Sequence, residues 1–268
     1  MPTHFIPHGG GPCFFMDWNM GPADTWERMA GWLGQLMVTL PVRPRALLVI
    51  SGHWEEPVPT VNSAEHPGLY YDYYGFPPHT YELTWPAPGN PELAYQVCSL
   101  LENGGLRSAE NGNRGLDHGV FIPFKLVLPE ADIPVVQLSL IAGLDPAEHL
   151  RLGEALAPLR KQGVWIVGSG MSYHNMASLR GGDGALADSD QFDSWLSEAC
   201  ELPPEQRKQA LIHWAGAPAA LSAHPREEHL LPLMVVAGAA VHEPGRHIFR
   251  DRVMNATVSA FEFGQVAV

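Results

Sequence analysis

Three times in this chain an apolar run meets glycine with a histidine at or just past the junction, and that recurrence limits the folds open to it. In the opening stretch, Thr3-His4-Phe5-Ile6-Pro7 leads into His8-Gly9-Gly10-Gly11-Pro12. In the second, Ala46-Leu47-Leu48-Val49-Ile50-Ser51-Gly52 runs into His53. The third passes from Val164-Trp165-Ile166-Val167-Gly168-Ser169-Gly170 through Met171-Ser172-Tyr173 to His174. Aliphatic runs without polar alternation read as strands buried on both faces, the habit of parallel sheets. In an open α/β sheet, parallel strands bring their C-terminal ends to one edge, where ligands bind. Three such strands predict one imidazole cluster at that edge. Glycine beside the histidine lets the backbone approach closely and turn sharply.

The rest of the chain alternates in the same style. A helix is expected from Pro22-Ala23-Asp24 to Leu36, ended by Pro41 and Pro44. Val58 to Val61 reads as a short strand, and Pro91 to Leu101 as a helix with proline in its first turn. Val120 to Leu128 reads as a buried helix and Ile133 to Leu140 as a strand. Asp145-Pro146-Ala147-Glu148 opens a helix with an acidic cap, ending near Gly163. Gly181 to Asp190 reads as loop, followed by amphipathic helices at Phe192–Cys200 and Pro204–Trp214. Pro225 to Ala240 is apolar almost all round after Glu228 and reads as a buried helix. Two β-like runs, Arg246–Arg250 and Ala256–Phe263, follow. No repeat or linker divides the chain. The expectation is one α/β domain over residues 1–268, with a mixed, mostly parallel central sheet flanked by helices and a metal site at the C-terminal edge of the strands.

Composition narrows the function. A net charge of -13 excludes a phosphate-backbone partner, because nucleic-acid binding rests on clustered Lys and Arg. Three distant cysteines make neither a disulfide framework nor a thiolate zinc motif. There is no signal-like N-terminus and no membrane-length apolar run, so a cytoplasmic protein is expected. The unusual count is 13 histidines.

Their placement separates them. His4 and His8 would stand roughly 13 Å apart on an extended strand, too far to share one ion, and His8 at the glycine turn is the better ligand. His4 reads as packed. His8, His53 and His174 share the strand-end position, and imidazoles without thiolates suit zinc or iron. His118 sits beside Asp117 in a glycine turn before an apolar helix; it reads either as part of a capping turn or as a neutral imidazole able to trade a proton. Pro225-Arg226-Glu227-Glu228-His229 offers a further ligand, with Pro232 implying a bend or late start of the helix there. Spacing alone does not choose between Glu228 and His229. The loop Tyr70-Tyr71-Asp72-Tyr73-Tyr74-Gly75-Phe76-Pro77-Pro78-His79 is too aromatic and too long to be a plain connection, and reads as a wall or lid.

Taken together, these pieces resemble the class III extradiol ring-cleavage dioxygenases, most closely their DOPA 4,5-dioxygenase-like branch. The likeness rests on His8-Gly9-Gly10, Ser51-Gly52-His53-Trp54, Tyr74-Gly75-Phe76-Pro77-Pro78 with Trp85-Pro86-Ala87-Pro88-Gly89, and Leu116-Asp117-His118-Gly119. It continues through Ile133 to Ser139, Gly168-Ser169-Gly170 with His174-Asn175, and Glu228-His229-Leu230-Leu231-Pro232-Leu233, in the family's order. The resemblance implies a non-haem metal held by His8, His53 and, in this branch, a histidine at the third position, His229. It also implies His174 as a base beside the metal, able to coordinate when substrate is absent, and His118 as the second histidine of the pocket. Fe(II) is implied for activity, with Zn(II) accepted by an all-imidazole site. The implied partners are a small catechol and O2, covered by Tyr71, Tyr74 and Phe76 of the aromatic loop. Oligomeric state stays open. The rival readings are a zinc hydrolase working without oxygen and a non-catalytic binding protein on the same scaffold.

Overall fold

The aliphatic runs have no polar face to offer water, so they pair in parallel and are covered on both sides. A computed structural model describes residues 1–179 and 185–264. Among the described residues, eight strands form one sheet: β1 Thr3–Pro7, β2 Ala46–Glu56, β3 Thr60–Asn62, β4 Ala109–Asn111, β5 Val135–Ile141, β6 Val164–Gly170, β7 Gly245–Val253 and β8 Ala256–Phe263. Their order is β4-β3-β5-β2-β6-β1-β8-β7. The middle four, β5, β2, β6 and β1, run parallel and carry the most apolar runs. At one edge β8 and β7 form an antiparallel hairpin, with Met254 and Asn255 both at positive φ in its two-residue turn. At the other edge β3 meets β5 antiparallel and β4 meets β3 parallel. This is the single α/β domain with a mixed, mostly parallel sheet that the sequence predicts.

Two helices cover the middle of the sheet from opposite sides. Neighbouring residues of a strand point to opposite faces. A Cβ on Gly168 or Gly170 would collide with the backbone of Pro232 or His229, whereas Ser169 between them donates to the carbonyl of Gly119. Helix Leu231–Ala239 therefore lies on one face and helix His118–Val127 on the other. The first packs on β6, β1 and β2 and against helix Pro146–Leu156.

Local signals place several boundaries. Asp145 caps its helix by accepting from the amide of Glu148 at 2.9 Å, and Asn90 caps helix Pro91–Asn103 by accepting from Leu93 at 2.9 Å. Other boundaries differ from expectation for identifiable reasons. The helix expected from Pro22 begins at Glu27, because residues 22–26 close tight turns of their own, the Thr25 hydroxyl donating to the Pro22 carbonyl. Pro158 breaks the helix expected to reach Gly163 after Leu156, and a short helix Pro158–Lys161 follows. Residues 185–190, expected as loop, belong to helix Ala185–Glu201, whose Ala185 and Ser189 are buried; the rest of that loop, through residue 184, lies outside the described residues. The helix expected from Pro225 begins only at Leu231, putting Pro232 in the first turn, where its missing N–H is no loss.

His4 is packed, as expected: its Nδ1 accepts from Trp165 at 2.9 Å and its Nε2 lies 3.2 Å from the Glu262 carboxylate. His149 is structural too. Its Nε2 accepts from the Ile141 amide at 3.1 Å and its Nδ1 donates to the Asp145 carbonyl at 2.7 Å, tying a helix start to β5. Burial pushes its pKa down from 6.5 to about 4. The unfolded chain therefore takes up this proton first as pH falls. Stability from this group is complete above pH 6.5 and is lost progressively down to about pH 4. The expected loss is about 3 kcal/mol. Denaturant melts at pH 7.5 and pH 4.5 check this prediction, with His149→Gln as reference; a wild type no more acid-sensitive than that variant would count against it.

Candidate metal centre

Each histidine of the cluster is aimed by a different backbone device. His8 follows β1 directly and its amide extends the ladder by donating to the Gly170 carbonyl at 3.1 Å. Gly9, at φ +81°, then turns the chain away; a Cβ there would stand 2.5 Å from the sulfur of Cys13. His53 lies within β2, which runs six residues past the expected Ile50, and the register against β5 shifts between Ile50 and Glu55. Such an irregularity re-aims side chains near the rim of a sheet. His229 sits in the turn before helix Leu231–Ala239, its carbonyl accepting from Met171 at 3.1 Å. That contact needs glycine at 170, where a Cβ would come within 2.1 Å of the same oxygen.

The three rings converge by their Nε2 atoms. His53 Nε2 stands 3.1 Å from His8 Nε2 and 3.2 Å from His229 Nε2. Their outer nitrogens are engaged elsewhere. Ser169 gives its own proton to the Gly119 carbonyl, so it accepts from His8 Nδ1–H at 3.1 Å. His229 Nδ1 donates to Glu228 Oε1 at 2.8 Å, and His53 Nδ1 faces Asp72 Oδ2 at 3.6 Å. With protons on the Nδ1 atoms, three Nε2 lone pairs point at one another with nothing to bond. Burial first, and then the neighbouring imidazoles, hold His8, His53 and His229 well below the ordinary histidine pKa, so the rings are neutral. Metal–imidazole bonds of about 2.1 Å meeting at roughly right angles set nitrogens about 3.0 Å apart. This donor set fits one small divalent cation.

Two more histidines flank that point. His118 opens helix His118–Val127, its ring centre 4.0 Å from that of His53. Asp117, the capping position, does not close this helix end. Asp72 does so from the aromatic loop, its Oδ1 accepting from the His118 amide at 2.9 Å and from the His118 Nδ1 at 2.7 Å. Burial pushes Asp72 upward, but its bonds to His118 win and leave its pKa lowered. The Asp117 carboxylate instead turns inward to Ser51, Gln137 and Arg114, and burial raises its pKa. His174 stacks on His229, ring centres 3.4 Å apart, and its Nδ1 lies 3.2 Å from Glu228 Oε1.

The structure thus brings His8, His53, His118, His174 and His229 together. His224 lies apart, bonded through Nε2 to the Ser172 carbonyl. Glu228, weighed against His229 as a ligand, turns its carboxylate to the outer edge of the rings. In the aromatic loop, Tyr73 stands edge-on to His118 at 5.8 Å and donates its hydroxyl to the Thr80 carbonyl. Tyr71 turns to Phe121 and bonds the Leu83 carbonyl, Tyr74 is 89% exposed, and Phe76 lies over Gly11. Arg114 is committed to Asp117 and to the His53 carbonyl. Asp72 and Ser169 went unread in the sequence, while Tyr73 was read only as one ring of the aromatic wall. The signal for Asp72 is that it is the lone charge in its aromatic loop.

Comparison with known proteins decides what such a cluster belongs to. The family described as the catalytic LigB subunit of aromatic ring-opening dioxygenase matches residues 3–263. The chain is a member of the LigB family. Relatives of this LigB-type chain include a dioxygenase, tasH, from Hapsidospora irregularis, 40% identical over 83% of this chain and 72% of that protein. Another is the 4,5-DOPA dioxygenase extradiol of Beta vulgaris, 43% identical over 74% of each chain. The crystal structure of an uncharacterised protein from Escherichia coli K12 superposes with a TM-score of 0.79 at 26% identity, covering 98% of this chain and all of that one. This LigB protein is an extradiol aromatic ring-opening dioxygenase with a metal cofactor and a histidine-rich site to receive it. Among its described residues no helix is long and apolar enough to cross a membrane.

Proposed function

We propose that His8, His53 and His229 hold a single Fe(II) in the working enzyme, and that the substrate is a catechol of the DOPA or caffeate type. The observation that carries this is the trio of inward Nε2 lone pairs, spaced at 3.1 and 3.2 Å, with partners waiting on the Nδ1 side. The relatives named as DOPA dioxygenases support the substrate class. An imidazole set without thiolate also accepts Zn(II), which then occupies the site without oxygen chemistry. When bound, the iron supplies Lewis acidity toward an ionised diol and the one-electron chemistry with which dioxygen reacts.

The protein's own groups do the rest. His174, its Nδ1 held by Glu228, offers Nε2 to take a phenolic proton. His118, its Nδ1 held by Asp72, takes the second phenolic proton at Nε2, donates that N–H to the oxygen on which charge develops, and returns the proton as the ring opens. Tyr73 and Phe76 wall the site, and Tyr71 and Tyr74 build the loop that covers the flat substrate and excludes water. Three free, buried cysteines suit a reducing cytoplasm.

The test is anaerobic loading with Fe(II), then DOPA or caffeate under air. A yellow ring-opened product is expected, formed in step with oxygen uptake and absent under nitrogen. A verified iron-loaded protein that opens no member of a catechol panel would sink the proposal. Turnover under nitrogen with Zn(II) would point to the hydrolase instead.

A further inference from the structure

We infer that Glu228 is a positioning residue whose one carboxylate oxygen sets the tautomer of two histidines at once, the ligand His229 and the base His174. The inference rests on the roles proposed above for those two rings. Glu228 Oε1 lies 2.8 Å from His229 Nδ1 and 3.2 Å from His174 Nδ1. The rings are stacked, 18° from parallel. With both Nδ1 atoms at one oxygen and the planes nearly parallel, both Nε2 atoms face the same side.

An ionised carboxylate only accepts. If either ring moved its proton to Nε2, its Nδ1 lone pair would confront that oxygen at hydrogen-bond distance. Acceptor would face acceptor in a buried place, which is costly. The shared oxygen therefore keeps both protons on Nδ1. His229 then has a lone pair for the ion, made more basic by the negative partner behind it. His174 has a lone pair ready for a substrate proton. Without such a partner, each imidazole would be free to take either tautomer.

Glu228 is anchored by an ion pair, although its Oε2 makes no hydrogen bond among the described residues. Its Oε2 lies 3.4 Å from Arg226, which grips Glu55 on β2 through two bonds of 2.6 and 2.5 Å. His174, Glu228 and His229 have the spacing of a metal group in their own right. Glu228 Oε1 already accepts from His229 Nδ1 and lies 3.2 Å from His174 Nδ1 on the outer edge, however, so it is the support of the site rather than a ligand in it.

Glu228→Gln offers a neutral amide that can donate as well as accept, so it no longer dictates either proton. Zn(II) and Fe(II) affinity, measured by competition with a chromophoric chelator, is expected to fall about 10- to 100-fold. Long-range 15N–1H spectra of metal-free protein should show single Nδ1–H tautomers for His174 and His229 in wild type and mixtures in the variant. At saturating Fe(II), kcat should fall while KM for the catechol holds. Should Glu228→Gln fail to fold, Glu228→Asp keeps the charge but draws the oxygen back, and should show the same losses. Glu262→Gln, which neutralises the carboxylate beside His4 in the same way, is the control for general loosening and should leave metal affinity unchanged. Metal affinity within threefold of wild type, unchanged tautomers, or an equal loss in the Glu262 control would overturn the inference. A wild type that binds no metal or opens no catechol would instead overturn the reading of the site.

Discussion

His53→Ala is expected to yield a folded protein that no longer retains its metal. Its Nε2 is the vertex shared by the other two, 3.1 Å from His8 and 3.2 Å from His229. Without it two imidazoles remain, and the ion loses a third of its protein ligands. A metal's stabilisation of charge is worth several kcal/mol, so kcat/KM should fall by about 10³-fold or more. Because β2 is paired with β5 and β6 before His53 and with β5 again after it, the fold does not depend on this side chain. The measurement is metal content after gel filtration, set beside a thermal melt and steady-state rates. A variant with full metal stoichiometry and a rate within tenfold of wild type would remove His53 from the centre.

The second large effect separates a base from a ligand. His174→Gln is expected to keep the metal while kcat falls by about 10²- to 10⁴-fold, the range for loss of a positioned general base. The geometry argues for this split. His174 stacks on the face of His229 and shares its carboxylate, whereas His8, His53 and His229 meet nitrogen to nitrogen. Metal analysis of the variant decides the matter. If the ion is lost along with the activity, His174 is a ligand and the proton must go elsewhere.

Much of the framework was readable from local chemistry. The runs at 46–50 and 164–170 are aliphatic on both faces and form central strands; Asp145 and Pro146 open a helix as their side chains dictate. The histidines at strand ends converge because parallel strands share one edge. Misread boundaries arose where distant contacts outweighed local preference. Polar Glu55 and Glu56 extend β2 because Leu140 and Ile141 pair with them across the ladder. The helix near 231 starts late because the turn holding His229 is bonded to Met171. Residues 185–190 are helical because Ala185 and Ser189 find a buried face, despite glycine and aspartate nearby.

The same division runs through the site. Which residue types assemble, imidazoles beside glycine with an aromatic loop nearby, was written in the chain itself, since strand, turn and side-chain chemistry are decided within a few residues. Which nitrogen of each ring carries the proton was not. That choice belongs to Ser169, 161 residues from His8, to Asp72, 46 residues from His118, and to Glu228. A tautomer is set by the partner within hydrogen-bond reach, and only folding determines who that partner is.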